Sequence, residues 1–201
     1  MDRGADTRGL NPGNPARAAE WAWRDASISH VKNGIYGEMG VAAMLAAAFV
    51  EDDFDRIIRA GLAQVPAQSR LVGDVGVVLA AYQGGETYEQ VVGRITTQWD
   101  ENKAHYWCHT NSNAQIVAAA LLFGEGDYTK TIGMAVMPGF DTDCNGATAG
   151  SVWGVVNGAK ALPGKWTRPL KDKIRTGVAG YHEVKISELA REMAEVAWRL
   201  R

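Results

Sequence analysis

An all-α fold is what this 201-residue sequence predicts, and three observations carry the prediction. Apolar residues recur at three- and four-residue spacing through most of the chain, the mark of helices with one buried face. No stretch alternates apolar and polar residues, with β-branched enrichment, for long enough to demand a sheet. The periodic runs open on capping signals, Asn14-Pro15, Asp53, Thr87 with Gln90, and Asp127, whose side chains satisfy the free N–H groups of a first helical turn. With 46% hydrophobic residues the chain can bury one sizeable core, so residues 1–201 read as a single domain.

Residues 1–13 are polar and glycine-bearing and read as a loose lead-in. Asn14 before Pro15 is an N-cap followed by a first-turn proline. Ala16 to Ser27 then carries Ala19, Trp23 and Ala26 at helical spacing and ends near Ser27-Ile28-Ser29-His30. From Ile35, the series Ile35, Met39, Ala42, Ala43, Ala46, Phe49 marks a helix packed tightly through alanines. Asp53 caps a short helix holding Phe54, Ile57, Ile58 and Leu62, closed by Val65-Pro66. Leu71 to Tyr82 ends at Gly84-Gly85, and Tyr88 to Trp99 starts at Thr87, whose Gln90 three residues on completes a capping box. Asp127 starts a helix from Tyr128 to Val136, and Trp166 to Leu170 reads as a segment closing over the core. Lys185 to Leu200 places Ile186, Leu189, Met193, Val196, Ala197 and Leu200 on one face, with Glu188 and Glu192 outward. That is a final amphipathic helix, docked for structure.

Composition removes several function classes. A net charge of −2, with the basic residues from Lys160 to Arg175 broken up by prolines and apolar residues, argues against a nucleic-acid surface. Two cysteines, Cys108 and Cys144, make no disulfide framework and suit a reducing compartment. The most apolar run, Val41 to Val50, is too short to span a bilayer and is followed by Glu51-Asp52-Asp53. A soluble cytoplasmic protein without a membrane partner is the expectation.

Chemistry concentrates in Gly139-Phe140-Asp141-Thr142-Asp143-Cys144-Asn145-Gly146, where two carboxylates flank one residue as a loop turns into a helix. Acids there can act simply as caps, because carboxylates favour the positive end of the helix dipole. With hydroxyl, thiol and amide neighbours, the same pair makes an oxygen-rich site for a hard divalent cation such as Mg²⁺. Gly146, Gly150, Gly154 and Gly158 line one face of the helix that follows, each at about 1 kcal/mol relative to alanine in a helix interior. Something must approach that face closely.

Competing patterns fit less well. Asp141 to Gly146 matches the opening of an EF-hand loop, but Val152 holds the twelfth position in place of the bidentate glutamate. An Asp-x-Asp phosphotransfer loop needs a strand running into the first aspartate, and Pro138-Gly139 interrupts the candidate, Ile132 to Met137. His105-Tyr106-Trp107-Cys108-His109 offers zinc donors, yet neither Cys144 nor His182 has a nearby partner to complete the paired spacing such sites use. His30, after a serine at a helix end, has the plain reading of a histidine hydrogen-bonded to carbonyls.

The segment Gly139 to Gly158, with Leu162-Pro163 and Trp166, resembles the C-terminal metal motif of the ADP-ribosylglycohydrolase family. Asp25 to His30, Gly34 to Glu38 and Ala42 to Phe49 resemble the family's middle helices, and His109 to Asn113 with Ala118 to Gly124 resembles the segment before the metal motif. The resemblance implies a compact orthogonal multi-helix bundle in which His109 to Asn113 leads into a buried helix, Ala114 to Phe123, that supports the metal loop. It implies hydrolysis of a glycosidic bond between ADP-ribose and an acceptor, the partner being an ADP-ribosylated protein or an ADP-ribose-containing small molecule. The implied cofactor is a binuclear Mg²⁺ site, with Mn²⁺ as a substitute. Asp141 and Asp143 are then the catalytic and metal-holding residues. Cys144 stands at a further metal position where the family pattern has threonine, and a thiol is a softer donor. His30, Gly139, Asn145 and Gly146 are expected to meet the substrate: His30 on the ribose side, the glycine-lined helix start by letting ribose or pyrophosphate reach backbone N–H groups.

The resemblance also implies a second half of the metal site, a Thr/Ser-Asp-Asp run near the family's N-terminus, and an early acidic residue that assists catalysis. Neither stands in this sequence, and Glu51-Asp52-Asp53 comes too late to serve. The expectation is a chain corresponding to roughly the later two-thirds of a family member, its N-terminal part missing, and inactive alone. The alternative is a catalytically inactive module that binds ADP-ribose or a nucleotide.

Overall fold

Helix starts fall where the capping side chains stand. The structure, a computed structural model, describes residues 11–103 and 105–200. Asn14 Oδ1 accepts the Arg17 N–H at 3.0 Å to open α1 (Pro15–Ala26). After α2 (Asn33–Ala47), Asp53 caps α3 (Phe54–Leu62) and Ser69 caps α4 (Arg70–Gln83). Thr87 and Gln90 form the reciprocal capping box of α5 (Tyr88–Gln98). His109 caps α6 (Thr110–Phe123) through Nδ1, Asp127 caps α7 (Tyr128–Val136), and α8 (Thr142–Asn157) follows on the Asp141 turn. Each such cap contributes about 1 kcal/mol.

Beyond α8 come the four-residue α9 (Gly164–Thr167), the strands β1 (Lys173–Arg175) and β2 (Glu183–Lys185), and α10 (Ile186–Arg199). The fold is all-α apart from this antiparallel hairpin, which pairs Lys173 with Lys185, Ile174 with Val184 and Arg175 with Glu183. Three-residue strands are too short to show alternation, so the sequence pattern passed over them. Among the described residues no helix is long and apolar enough to cross a membrane.

Helix α6 is the centre. It packs against α2, α3, α4, α5, α7 and α8, and every residue from Gln115 to Leu122 is buried. A helix that is apolar on all sides needs neighbours on all sides. Full burial of Ile116 and Leu121 stabilises the fold by about 1.5–3 kcal/mol per side chain. Its polar residues are met by α4 and by the residue that follows α5. Asn111 Nδ2 donates to Asp74 Oδ2 at 2.6 Å, Gln115 Nε2 to the Asp74 carbonyl at 3.1 Å, and Trp99 Nε1 to Gln115 Oε1 at 2.9 Å.

Helices α1 and α2 meet through Ala18, Ala22, Ala42 and Ala46. Trp23, expected on the inner face of α1, is half exposed, because an indole would hold the two axes apart where alanine lets them close. Phe49 lies past the end of α2 and is also largely exposed. A Cβ on Gly61 of α3 would lie 2.7 Å from the Gly40 carbonyl oxygen of α2, so these two helices cross nearly backbone to backbone.

The first ten residues of the expected lead-in lie outside the described residues. The next three are not loose: the Gly13 N–H donates to the Ala46 carbonyl at 2.8 Å and Asn11 is buried. The segment Trp166 to Leu170, expected to close over the core, is largely exposed: Trp166 lies against α7, donating to Thr129 Oγ1 at 3.0 Å and meeting the Tyr128 ring edge-on, and Leu170 is half exposed. Helix α10 is docked more lightly than its pattern suggested, with Ala197 its one buried residue.

Candidate active site

The turn before α8 is held from two sides. Gly139 and Phe140 both have positive φ, +83° and +61°. That region is unfavourable for phenylalanine. Burial of the Phe140 ring and donation of its N–H to Glu101 Oε2 at 2.8 Å hold it there. Gly139 makes room for that same carboxylate, since a Cβ would sit 2.7 Å from Glu101 Oε2. On the other side, Asn113 Oδ1 accepts the Asp141 N–H at 3.2 Å and Asn145 Nδ2 at 2.7 Å.

Helix α8 takes in Asp143, Cys144, Asn145 and Gly146. This removes the EF-hand reading, whose ligands come from an unwound loop. Residues 132–136 belong to α7, so the strand of a phosphotransfer loop is absent too.

One donor atom each of Asp141, Asp143 and Cys144 lies within 4.8 Å of the others, and no second such cluster occurs among the described residues. His109 is occupied elsewhere: besides capping α6, its ring stacks on Trp99 with centroids 4.5 Å apart. Burial, then the Arg70 charge, push its pKa down, against a smaller upward pull from Asp74. That keeps the imidazole neutral, as an accepting Nδ1 requires.

Asp141 stands at the N-cap of α8, yet its carboxylate makes no capping hydrogen bond. The nearby Cys144 amide favours its charged form without reaching capping geometry. Burial raises the Asp141 pKa, the bond from the Cys144 thiol opposes this, and contact with the Asp143 carboxyl raises it further. The Cys144 thiol is pushed up to about 11 by burial, by its hydrogen bond to Asp141 and by the charges of Asp141 and Asp143. At neutral pH the thiol holds its proton and donates it to Asp141.

Two converging carboxylates fit a hard cation such as Mg²⁺ or Mn²⁺. The Cys144 sulfur stands beside them as a softer donor, and would have to give up its proton to ligate the cation.

Asp141, Cys144, Asn145 and Thr148, but not Asp143, line a cavity of about 210 Å³. Val41, Met44, Ile58, Leu62, Val75 and Val117 make much of the rest of its lining apolar, and Cys108, Thr110 and Asn113 also line it.

The remaining expected residues fall elsewhere. Gly139 faces Glu101 and does not line the cavity. A Cβ on Gly146 would lie 3.3 Å from Val136 Cγ1, and one on Gly150 would lie 3.1 Å from Ile132 Cδ1 and 3.3 Å from the Tyr128 hydroxyl. At Gly146 and Gly150 the glycine face of α8 therefore packs against α7, whereas a Cβ on Gly154 or Gly158 would meet nothing within 4 Å. His30 sits exposed on the turn after α1, with Nδ1 2.8 Å from Ser29 Oγ, and is not among the cavity residues.

Sequence reasoning passed over Glu101, Thr110 and Thr148, and saw Asn113 only as part of a supporting segment. The polar run from His109 to Asn113 opening an apolar helix is the signal that could have singled out Asn113. Nothing local links Glu101 to Phe140, 39 residues away.

Fold and site together define an all-α protein with two neighbouring carboxylates, of which Asp141 lines a cavity and Asp143 does not. Residues 7–199 match the family model described as ADP-ribosylglycohydrolase, and the chain belongs to that family. Its members hydrolyse glycosidic bonds to ADP-ribose and act on ADP-ribosylated substrates. No curated protein and no solved structure matches the chain. A match over nearly all of the sequence does not bear out the expectation that the chain corresponds only to the later two-thirds of a member.

Proposed function

We propose that this protein acts on a glycosidic bond to ADP-ribose with the help of a divalent cation, Mg²⁺ or Mn²⁺, held by Asp141 and Asp143. One observation carries the reading: the donor atoms of Asp141, Asp143 and Cys144 lie within 4.8 Å of one another, and two of these residues, Asp141 and Cys144, line the cavity. When bound, the cation would orient the ribose hydroxyls and lower the pKa of a water for attack at the anomeric carbon.

The chain's own residues do the positioning. Asn113 fixes the Asp141 backbone. Thr110 and Thr148 offer hydroxyls to a substrate in the cavity, and its apolar wall limits water. Because the Asp141 pKa is raised, a proton competes with the cation for this carboxylate, and cation affinity increases with pH through that pKa.

A second reading is binding of ADP-ribose without turnover. It is favoured by the small donor set: the described residues bring two carboxylates together, fewer than a binuclear centre takes, and we expect little turnover from these 201 residues alone.

Calorimetric titration of ADP-ribose, with and without Mg²⁺, tests both readings. Heat that requires Mg²⁺ and is abolished in Asp143→Asn is the expected result, and no heat in either condition overturns both. Release of ADP-ribose from an ADP-ribosylated peptide then separates hydrolase from binder.

A further inference from the structure

We propose that Asn113 is a positioning residue for the Asp141 carboxylate, setting the cation affinity of the site without touching the cation. This rests on the reading of Asp141 as a cation-holding residue.

A primary amide offers two N–H donors and an oxygen with two lone pairs, and Asn113 uses all of them. Its Nδ2 donates to the Trp107 and His109 carbonyls, both at 3.0 Å. Its Oδ1 accepts the Asp141 N–H at 3.2 Å and Asn145 Nδ2 at 2.7 Å. Four bonds of matched polarity fix both the position and the flip of the amide.

The two sides differ in what they tie together. The donating side is anchored to a rigid segment, for Ser112 Oγ donates to the Tyr106 and His109 carbonyls and the His109 ring stacks on Trp99, itself buried. The accepting side grips the N-cap residue and the first turn of α8. Asp141 has no capping bond of its own to settle its orientation, and Asn145 is 2% exposed. Removing the Asn113 oxygen would leave the Asn145 amide buried without this acceptor and free the Asp141 backbone to shift relative to Asp143. Residues that orient a ligand from behind typically change metal affinity by about 10–100-fold when removed.

The test uses the full chain and Mn²⁺ as probe, with bound ion measured by electron paramagnetic resonance and stability by circular dichroism on the same samples. Asn113→Ala is expected to weaken Mn²⁺ binding by about tenfold or more at a temperature where it remains folded. Asn113→Gln keeps every donor and acceptor but sets them one methylene out of place. It is expected to fold and still bind Mn²⁺ more weakly, and it carries the test alone if the alanine variant does not fold. Val91→Ala, a core change in α5, is the control that lowers stability with Mn²⁺ affinity unchanged. Wild-type Mn²⁺ affinity in the Asn113 variants overturns the positioning role and leaves the cation reading standing. Absence of Mn²⁺ binding by the wild-type chain overturns both.

Discussion

Helices α6 and α10 are each 14 residues long, and each carries apolar residues at helical spacing. They end in opposite circumstances. Helix α6 is buried through its centre and surrounded by six others, whereas α10 buries Ala197 alone. Its Leu189, Met193 and Val196 instead line a shallow groove with Val178 and Tyr181. Periodicity reports that a helix has an apolar face. It does not report how much of the molecule covers that face. The two differ in how far apolar character wraps around: α6 is apolar on nearly every side after its first turn, while α10 keeps charged residues between its apolar ones. Thr110, Asn113 and Val117, which line the cavity, stand on this surrounded helix, α6, and Asn113 holds the Asp141 turn.

Three perturbations would break or sharpen this contrast. Leu121→Ala, at 0% exposure in α6, is expected to cost about 2–5 kcal/mol, from lost burial and the cavity left behind. Thermal or urea unfolding would show it, and an unchanged midpoint would remove α6 from the centre of the fold.

Asp141→Asn should have the next largest effect, at the end of α8 that α6 supports. A carboxylate whose pKa is raised on folding favours its neutral form there. Its stabilising contribution is complete below the ordinary carboxylate pKa and is lost as pH rises through the raised one. The cation-free asparagine variant should therefore melt above wild type at pH 7. At pH 3 the two should coincide. Mg²⁺ should raise the wild-type midpoint and leave the variant's unchanged; melting curves at the two pH values, with and without Mg²⁺, decide this. A variant less stable than wild type at pH 7 would reverse the sign.

Val196→Ala in α10 should be the smallest, within about 0.5 kcal/mol, as expected of a surface position, because Val196 is 41% exposed. A loss on the scale of Leu121→Ala would mean that α10 is as deeply embedded as α6.

What the sequence made legible was local. Asn14, Asp53, Thr87 with Gln90, and Asp127 each cap a helix within three residues of themselves, so their chemistry and their spacing lie in one short window. Asp141 and Asp143 were legible for the same reason, since one turn brings both carboxylates together. Of the glycine series, read as a close-approach face, Gly146 and Gly150 meet α7 closely and Gly154 and Gly158 meet nothing within 4 Å. A four-residue repeat shows that bulk is absent without showing that the side chains of Tyr128, Ile132 and Val136 fill the space. The choice between Trp23 and Ala22 for the α1–α2 contact depended on the distance between two axes, a tertiary quantity. Glu101 and the hairpin escaped because one acts across a long separation and the other is too short to show a period.

The left-handed pair Gly139-Phe140, bolted to Glu101, bears on how quickly and how tightly an ion could be taken up. Ordering a floppy segment at the moment of capture would consume about 1–2 kcal/mol per residue fixed. Here the bond to Glu101 would let that entropy be surrendered once, when the polypeptide folds, so that an ion bound as proposed would meet a turn already ordered. Uptake would then be governed by how fast the ion sheds its hydration shell, a step slow for Mg²⁺, which gives up its waters reluctantly.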